Sequence, residues 1–377
     1  MTRLITLLCL IAAFTITACG GSDDSVGGGN ESGTEVAKSG DVTGDVTISN
    51  WPGYMDEGKD NTIAEFEKEA GVKVKYVEDV NDNAEFFGKL QPQLEKGESG
   101  GRSVFVVTDW MAKQMNDLGF LQEIDHGDLP NVFKNLVPSL ESPAFDPERK
   151  FSVPWQAGMT GLMVNTDKAP DVKAINDIFD PKYKGKITVL TELRDTIPLL
   201  LKGDGIDPTS ATTEQWLAAI QKLQDAVDSG QLRRFTGNDY TQDLTNENVV
   251  AAIGWSGDTS LVENKAVEWR MPAEGCILWS DNMVIPKGAP NPAAALAFMD
   301  FVYQPEVQAD ISEYVQYVTP VTGVKEILTQ RDPALGKNPL IFPSDEFTKD
   351  CTTQPDPPGS AEDKQKVTKA FQDVVTG

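Results

Sequence analysis

Residues Val249-Val250-Ala251-Ala252-Ile253-Gly254-Trp255-Ser256-Gly257-Asp258 carry the pattern that decides the fold, an apolar run that stops at an aromatic ring and a carboxylate. A short apolar run rich in β-branched residues and bounded by glycine reads as a buried strand. The same grammar recurs along the chain. Val46–Ser49 leads into Asn50-Trp51-Pro52-Gly53-Tyr54, Val104–Val107 into Thr108-Asp109-Trp110, and Ile187–Leu190 into Thr191-Glu192-Leu193-Arg194-Asp195. Cys276–Leu278 leads into Trp279-Ser280-Asp281 in the same way. Helical patterns lie between these runs. Asn61–Ala70 is stopped by Gly71, Met111–Leu118 follows a strand, and Ala293–Val302 and Glu306–Val315 follow Pro292 and Pro305. Thr212 with Gln215 opens a further helix as a capping box, with Trp216, Ile220, Leu223 and Val227 on one face. Val72–Val77 alternates as a strand does. Strands alternating with helices specify an α/β protein of mostly parallel sheets with flanking helices.

One tryptophan or one carboxylate after a strand is ordinarily core or a helix cap. Five clusters that mix the two are a different matter. In open α/β sheets ligands bind beyond the carboxyl ends of the strands, so these clusters are expected to meet in one cleft.

The N-terminus has a separate job. Leu4–Ala18 is an apolar run behind Arg3 that ends Ile16-Thr17-Ala18-Cys19. That is the form of a secretory signal over residues 1–18, too short to stay as a spanning helix. The small-small-Cys ending resembles a bacterial lipobox, which implies lipidation of Cys19. Residues 19–44 are dominated by Gly, Ser, Asp and Glu and read as a flexible tether. The expected location is therefore the periplasmic or extracellular face of the cytoplasmic membrane, held there by lipid. Of the four cysteines, Cys276 and Cys351 remain for the folded part, and an oxidising compartment favours their pairing.

Composition excludes much. The formal charge of −25 repels nucleic acid and attracts cations. A single histidine, His126 in a loop-like stretch, removes most hydrolase triads and most zinc sites. Asp79, Asn81 and Asn83 begin like a calcium loop, but Leu90 stands where its last ligand belongs; a strand end and helix cap is the better reading. Gly254-Trp255-Ser256-Gly257 lacks the spacing of a nucleophile elbow. No catalytic constellation, metal site or cofactor motif emerges, and the chain reads as a binding protein.

Tryptophan faces attract cations through their quadrupole, and carboxylates answer ammonium groups with charge-assisted hydrogen bonds. A cleft with aromatic walls and acidic ends suits a linear, flexible polycation. A sugar shares the liking for aromatic walls but needs mixed donors and acceptors, and it stays open here as an alternative solute, as does another cationic amine.

Five segments then carry a family resemblance. They are Asn50-Trp51-x-x-Tyr54, Phe151-Ser152-Val153-Pro154-Trp155, Ala252-Ile253-Gly254-Trp255-Ser256-Gly257-Asp258, Trp279-Ser280-Asp281-Asn282-Met283 and Phe301-Val302-Tyr303-Gln304-Pro305-Glu306-Val307. In their order and spacing the chain resembles the periplasmic substrate-binding proteins of polyamine ABC transporters, over nearly its whole mature length. The resemblance implies a two-lobed periplasmic-binding-protein fold that closes like a hinged trap, without catalytic activity. One lobe would hold residues 45–153 with 283–330, the other 154–282 with 331–377. It implies a monomer that takes spermidine or putrescine and hands it to an ABC permease. Carried over, Trp51 and Tyr54 would line one wall, with Trp110 or Thr108 on the same lobe. Trp255 would stack from the other lobe, with Asp258 and Asp281 as ammonium anchors and Trp279 beside them. Glu192 and Asp195 match the family's acidic strand end, in a segment one residue shorter, and Tyr317 its late aromatic. Gly53 departs from the polar residue the family often has before the first tyrosine, which implies a weaker amine subsite there. The family's C-terminal contact has no assigned residue in Ser344–Gln354.

Overall fold

The computed structural model describes Val36, Ala37 and residues 40–377. The signal of residues 1–18, Cys19 and the greater part of the tether lie outside the described residues. The strands are β1 (Val36–Ala37), β2 (Asp45–Asn50), β3 (Lys73–Glu78), β4 (Val104–Thr108), β5 (Glu123–Ile124) and β6 (Val153–Asn165). They continue as β7 (Ile187–Leu190), β8 (Leu232–Thr236), β9 (Ala251–Trp255), β10 (Val267–Arg270), β11 (Ile277–Val284) and β12 (Thr352–Thr353).

One sheet runs through the protein in the order β3-β2-β4-β11-β6-β9-β7-β8, with β10 on β6 and β12 on β11. Its two outer arms are parallel: β2 pairs with β3 and β4, and β7 pairs with β8 and β9. The centre is antiparallel, because β11 pairs with both β4 and β6, and β6 pairs with β9. Parallel arms need crossover helices, and the sequence supplies them with the punctuation it advertised. Asn61 caps the Thr62–Ala70 helix and Gly71 ends it in the left-handed region, while Thr212 and Gln215 close their capping box. Trp216, Ile220 and Leu223 are buried on that helix.

Two long elements depart from the sequence reading. Val153–Asn165 is a thirteen-residue strand buried along nearly its whole length, and it pairs with three strands, β9, β10 and β11, at the sheet's centre. Ala361–Thr376 is a C-terminal helix, capped by Ser360 and Asp363, that buries Val367, Phe371 and Val374.

The strand ends position the chemistry. Trp51 follows β2, Thr108 ends β4 and Trp255 ends β9. Glu192 caps the Leu193–Gly203 helix just beyond β7, and Asp195 lies in that helix's first turn. Between Ser280 and Asn282 the pairing of β11 with β6 shifts by one residue: Asp281 alone faces Trp155 and Gln156, so the extra residue of the bulge lies on β6. On its other edge β11 keeps register with β4, and that pairing sets the Asp281 carboxylate against Thr108.

Candidate functional site

A narrow cavity of about 30 Å³ lies beyond these strand ends, lined by Trp51, Pro52, Tyr54, Asn83, Thr108, Glu192, Asp195, Asn238, Trp255, Asp258, Trp279, Asp281, Tyr317 and Gln354. Ten of the eleven residues expected at the site meet there. The exception is Trp110. It is the second residue of the helix that starts after Thr108, so the helical turn carries it away from the strand end. Trp110 lines a neighbouring groove instead, where the Arg194 guanidinium stacks 3.8 Å from its ring. Thr108 takes the place in the cavity.

The aromatic side chains form a nest of edge contacts. Trp51 meets Trp255 at 5.6 Å between ring centroids, Tyr54 meets Tyr317 at 5.0 Å, and Trp279 meets Tyr317 at 5.4 Å. Trp155 meets Tyr54 edge-on at 6.3 Å between ring centroids and is buried.

Each carboxylate is held by donors aimed at it. Asp258 Oδ1 accepts from the Tyr317 hydroxyl at 2.5 Å, and its Oδ2 accepts from the Tyr240 hydroxyl at 2.6 Å and Asn238 Nδ2 at 3.2 Å. The two glycines of Gly254-Trp255-Ser256-Gly257-Asp258 make room for those tyrosines. A Cβ at Gly254 would fall 2.7 Å from the Tyr240 ring, and one at Gly257 would fall 2.4 Å from the Tyr317 ring. The motif is thus a pair of slots that let two phenols reach one acid. Asp195 Oδ2 accepts from Trp255 Nε1 at 3.0 Å and its Oδ1 from Gln354 Nε2 at 2.9 Å. Asp281 Oδ1 accepts from Thr108 Oγ1 at 2.8 Å. Glu192 Oε1 takes both the backbone N–H and the side-chain amide of Asn83, at 2.7 and 2.9 Å.

All four acids are buried, and no Lys, Arg or His lines the cavity with them. Burial without a counter-charge disfavours ionisation. It pushes Asp195 and Asp258 up to about 6 against the hydrogen bonds that favour their charge, and Asp281 up to about 7. Glu192 rises well above the usual range by burial first, then by the charges of Asp82 and Asp195. The same burial raises Tyr54, Tyr240 and Tyr317, which therefore stay protonated donors.

Gly53 stands with φ +65°, and a Cβ there would lie 2.6 Å from Leu261, so the neighbouring space is already filled. Sequence reasoning missed Pro52, Asn83, Asn238 and Gln354. Asn83 belongs to the stretch read as a helix cap. The cap is its neighbour Asp82, which leaves the Asn83 amide free to join Thr108 and Glu192. Gln354 had a signal: Cys276 and Cys351 form a disulfide, which brings the chain three residues after Cys351 level with Trp279, three after Cys276.

Among the described residues no group of three or more His, Cys, Asp or Glu side chains is arranged to hold a metal ion. What the cavity offers instead is four buried acids between aromatic faces, with no cation of the protein's own among its lining.

Residues 61–342 match the bacterial extracellular solute-binding protein family. The putrescine-binding periplasmic protein SpuD of Pseudomonas aeruginosa is 29% identical over 357 residues, covering 88% of this chain and 91% of that protein. The spermidine/putrescine-binding periplasmic protein of Escherichia coli is 26% identical over 314 residues, covering 81% and 85%. A solved structure from Listeria monocytogenes, provisionally named a spermidine/putrescine ABC transporter, is similar with a TM-score of 0.76 at 27% identity, over 88% of this chain and 98% of that one.

Proposed function

The chain belongs to the bacterial extracellular solute-binding proteins, extracytoplasmic binding proteins rather than enzymes, and from that footing we propose that it captures a polyamine, spermidine or putrescine, and delivers it to an ABC permease. Four buried carboxylates in one small cavity with no protein cation among its lining carry this reading. Such an arrangement is costly until a multiply charged cation enters. A linear polyamine places ammonium groups at the acids and lays its methylenes along the rings of Trp51, Trp255 and Trp279. Each buried CH₂ contributes about 0.8 kcal/mol, and each ammonium over a desolvated ring adds up to about 2 kcal/mol. The names of the similar proteins, which bind putrescine and spermidine, support the same choice.

In this reading the lobes are residues 45–153 with 283–330 and residues 154–282 with 331–377. Trp51, Tyr54, Thr108 and Tyr317 come from the first. Glu192, Asp195, Trp255, Asp258, Trp279 and Asp281 come from the second. Ligand bridges the two and favours closure, the permease reads the closed form of a monomer, and lipid on Cys19 with the tether of residues 19–44 keeps the protein near the membrane.

Calorimetric titration of the purified protein with putrescine, spermidine and a neutral sugar tests the proposal. Micromolar or tighter binding of an amine with silence toward the sugar is expected. Silence toward both amines would sink the substrate while leaving the family intact.

A further inference from the structure

The C-terminal tail reaches the cavity from an unexpected direction. Cys351 is bonded to Cys276 at the start of β11, and the two residues after it pair in parallel with Ile277 and Leu278 as β12. The Thr352 N–H donates to the Cys276 carbonyl at 2.9 Å, and the Gln354 N–H donates to the Leu278 carbonyl at 2.8 Å. The next event is the Gln354 side chain turning in to donate to Asp195 Oδ1 at 2.9 Å. We infer that residues 350–356 form a positioning strap for the ligand cavity, anchored by the Cys276–Cys351 disulfide, whose task is to hold Gln354 against Asp195.

The strap is tied along the same helix that carries Asp195. At one end of the Leu193–Gly203 helix Lys202 Nζ donates to the carbonyls of Glu274 and Asp350, at 3.1 and 2.9 Å, one on each side of the disulfide. At the other end Arg194 holds Asp356 Oδ1 through Nε and Nη2, at 3.0 and 2.9 Å. The approach of tail to body is tight: a Cβ on Gly275 would lie 1.9 Å from the Asp350 carbonyl oxygen. Yet the noncovalent ties are weak ones. A two-residue ladder has little stability of its own, and the Asp356 side chain of the ion pair is 53% exposed, in the range where such pairs contribute little. The disulfide is the one tie that does not open. Fixing Gln354 also fixes Asp195, because the carboxylate is then gripped on one oxygen by Gln354 and on the other by Trp255 Nε1, whose ring is a wall of the cavity.

The design also says what loss of the disulfide leaves intact. Beyond the strap the chain is docked again by the Ala361–Thr376 helix through Val367, Phe371 and Val374. A chain without the disulfide keeps its fold and loses the register of residues 350–356.

The test compares the parent protein with Cys276→Ala/Cys351→Ala, with Gln354→Ala, and with the three substitutions combined. Its affinity arm, which rests on the polyamine reading, titrates each with putrescine and with spermidine. Gln354→Ala and the double cysteine variant are each expected to lose roughly tenfold, in the range of one hydrogen bond to a charged group, and the combination no more than either. A cysteine variant that binds like the parent, or losses that multiply, would overturn the strap. A second arm needs no ligand and reads amide hydrogen exchange. Thr352 and Gln354 should exchange faster in the double cysteine variant, while amides of the Ala361–Thr376 helix keep their protection. Unchanged protection at Thr352 and Gln354 would overturn the inference. If the parent binds neither amine, the substrate assignment fails, and the exchange arm still decides the strap.

Discussion

The two sides of the Leu193–Gly203 helix start are built from the same ingredients and end differently. On one side Trp110 meets the Arg194 guanidinium at 3.8 Å, and Arg194 in turn is paired with Asp356. Ring, cation and acid are all supplied by the protein, and the group is complete. On the other side stand Trp51, Trp255 and Trp279 with Glu192, Asp195, Asp258 and Asp281, and no protein cation answers them. The difference teaches that aromatic and acidic residues after a strand do not by themselves mark a binding site. A binding site is where the chain withholds the third member. Arg194 and Asp195 are adjacent in sequence, so this sorting is done by one step along a helix.

Removing a charge from the incomplete side should have the largest effect. Asp258→Asn keeps the shape: the amide oxygen can still accept from Tyr240 and Asn238 while the Tyr317 hydroxyl turns to accept from the amide nitrogen, so the fold survives while the charge is lost. Removing one partner of a desolvated charge pair costs on the order of 2–5 kcal/mol of affinity. Titration with putrescine and spermidine measures it, and a loss below about tenfold would mean that the withheld cation is not met at Asp258.

The pH dependence sharpens the comparison next. Asp195, Asp258 and Asp281 have folded-state values raised to about 6, 6 and 7, above those of an unfolded chain. A carboxylate raised by folding stabilises the protein while it is protonated, and that contribution is lost as pH rises through its folded value. Ligand-free protein should therefore lose stability from about pH 4, where the unfolded carboxyls titrate, up to about pH 7, with each unit of raised pKa worth about 1.4 kcal/mol. A bound polyamine needs the ionised acids, so it should raise Tm more at pH 8 than at pH 5.5, and its affinity should fall as pH drops below 7. Melting curves with and without putrescine at the two pH values decide the matter; a ligand-induced shift that does not change with pH would contradict the uncompensated charge. Exposed charges cancel in that difference, because they are present in both states.

Most of the arms of the sheet could be read from the chain because they follow local rules. Asn61, Gly71, Thr212 and Gln215 act within a few residues of where they stand. The strand-end clusters were legible for the same reason, and ten of the eleven named residues line the cavity. Three departures have a common cause. The β6 strand was hidden because a fully buried strand shows no alternation. Trp110 was named as the alternative to Thr108, and the helical turn that carries it into the neighbouring groove brings it to Arg194 from a distant segment. Gln354 was invisible as a polar residue in a loop; only the cysteine pair, 75 residues apart, places it. Local spacing reports on local structure, and these three residues or elements are decided by what arrives from elsewhere.

The smallest expected effect belongs to the completed side. Arg194→Ala removes a cation from a ring and from an exposed carboxylate, and touches no group that lines the cavity. A cation–π contact at a partly exposed site is worth about 0.5–1 kcal/mol, so putrescine affinity should fall only about threefold. The loss should lie in the dissociation rate, because Trp110 and Arg194 belong to different proposed lobes and their stack forms only when those lobes meet. Arg194→Lys should follow the alanine variant, since an ammonium retains the charge but not the planar face that stacks on indole. Stopped-flow measurement of both rates separates these cases. An Arg194→Ala loss as large as that of Asp258→Asn would erase the distinction between the two sides. It would make the groove part of the ligand site. A small loss confined to dissociation leaves the groove as a latch whose cation the protein brings itself, beside a cavity whose cation must come from outside.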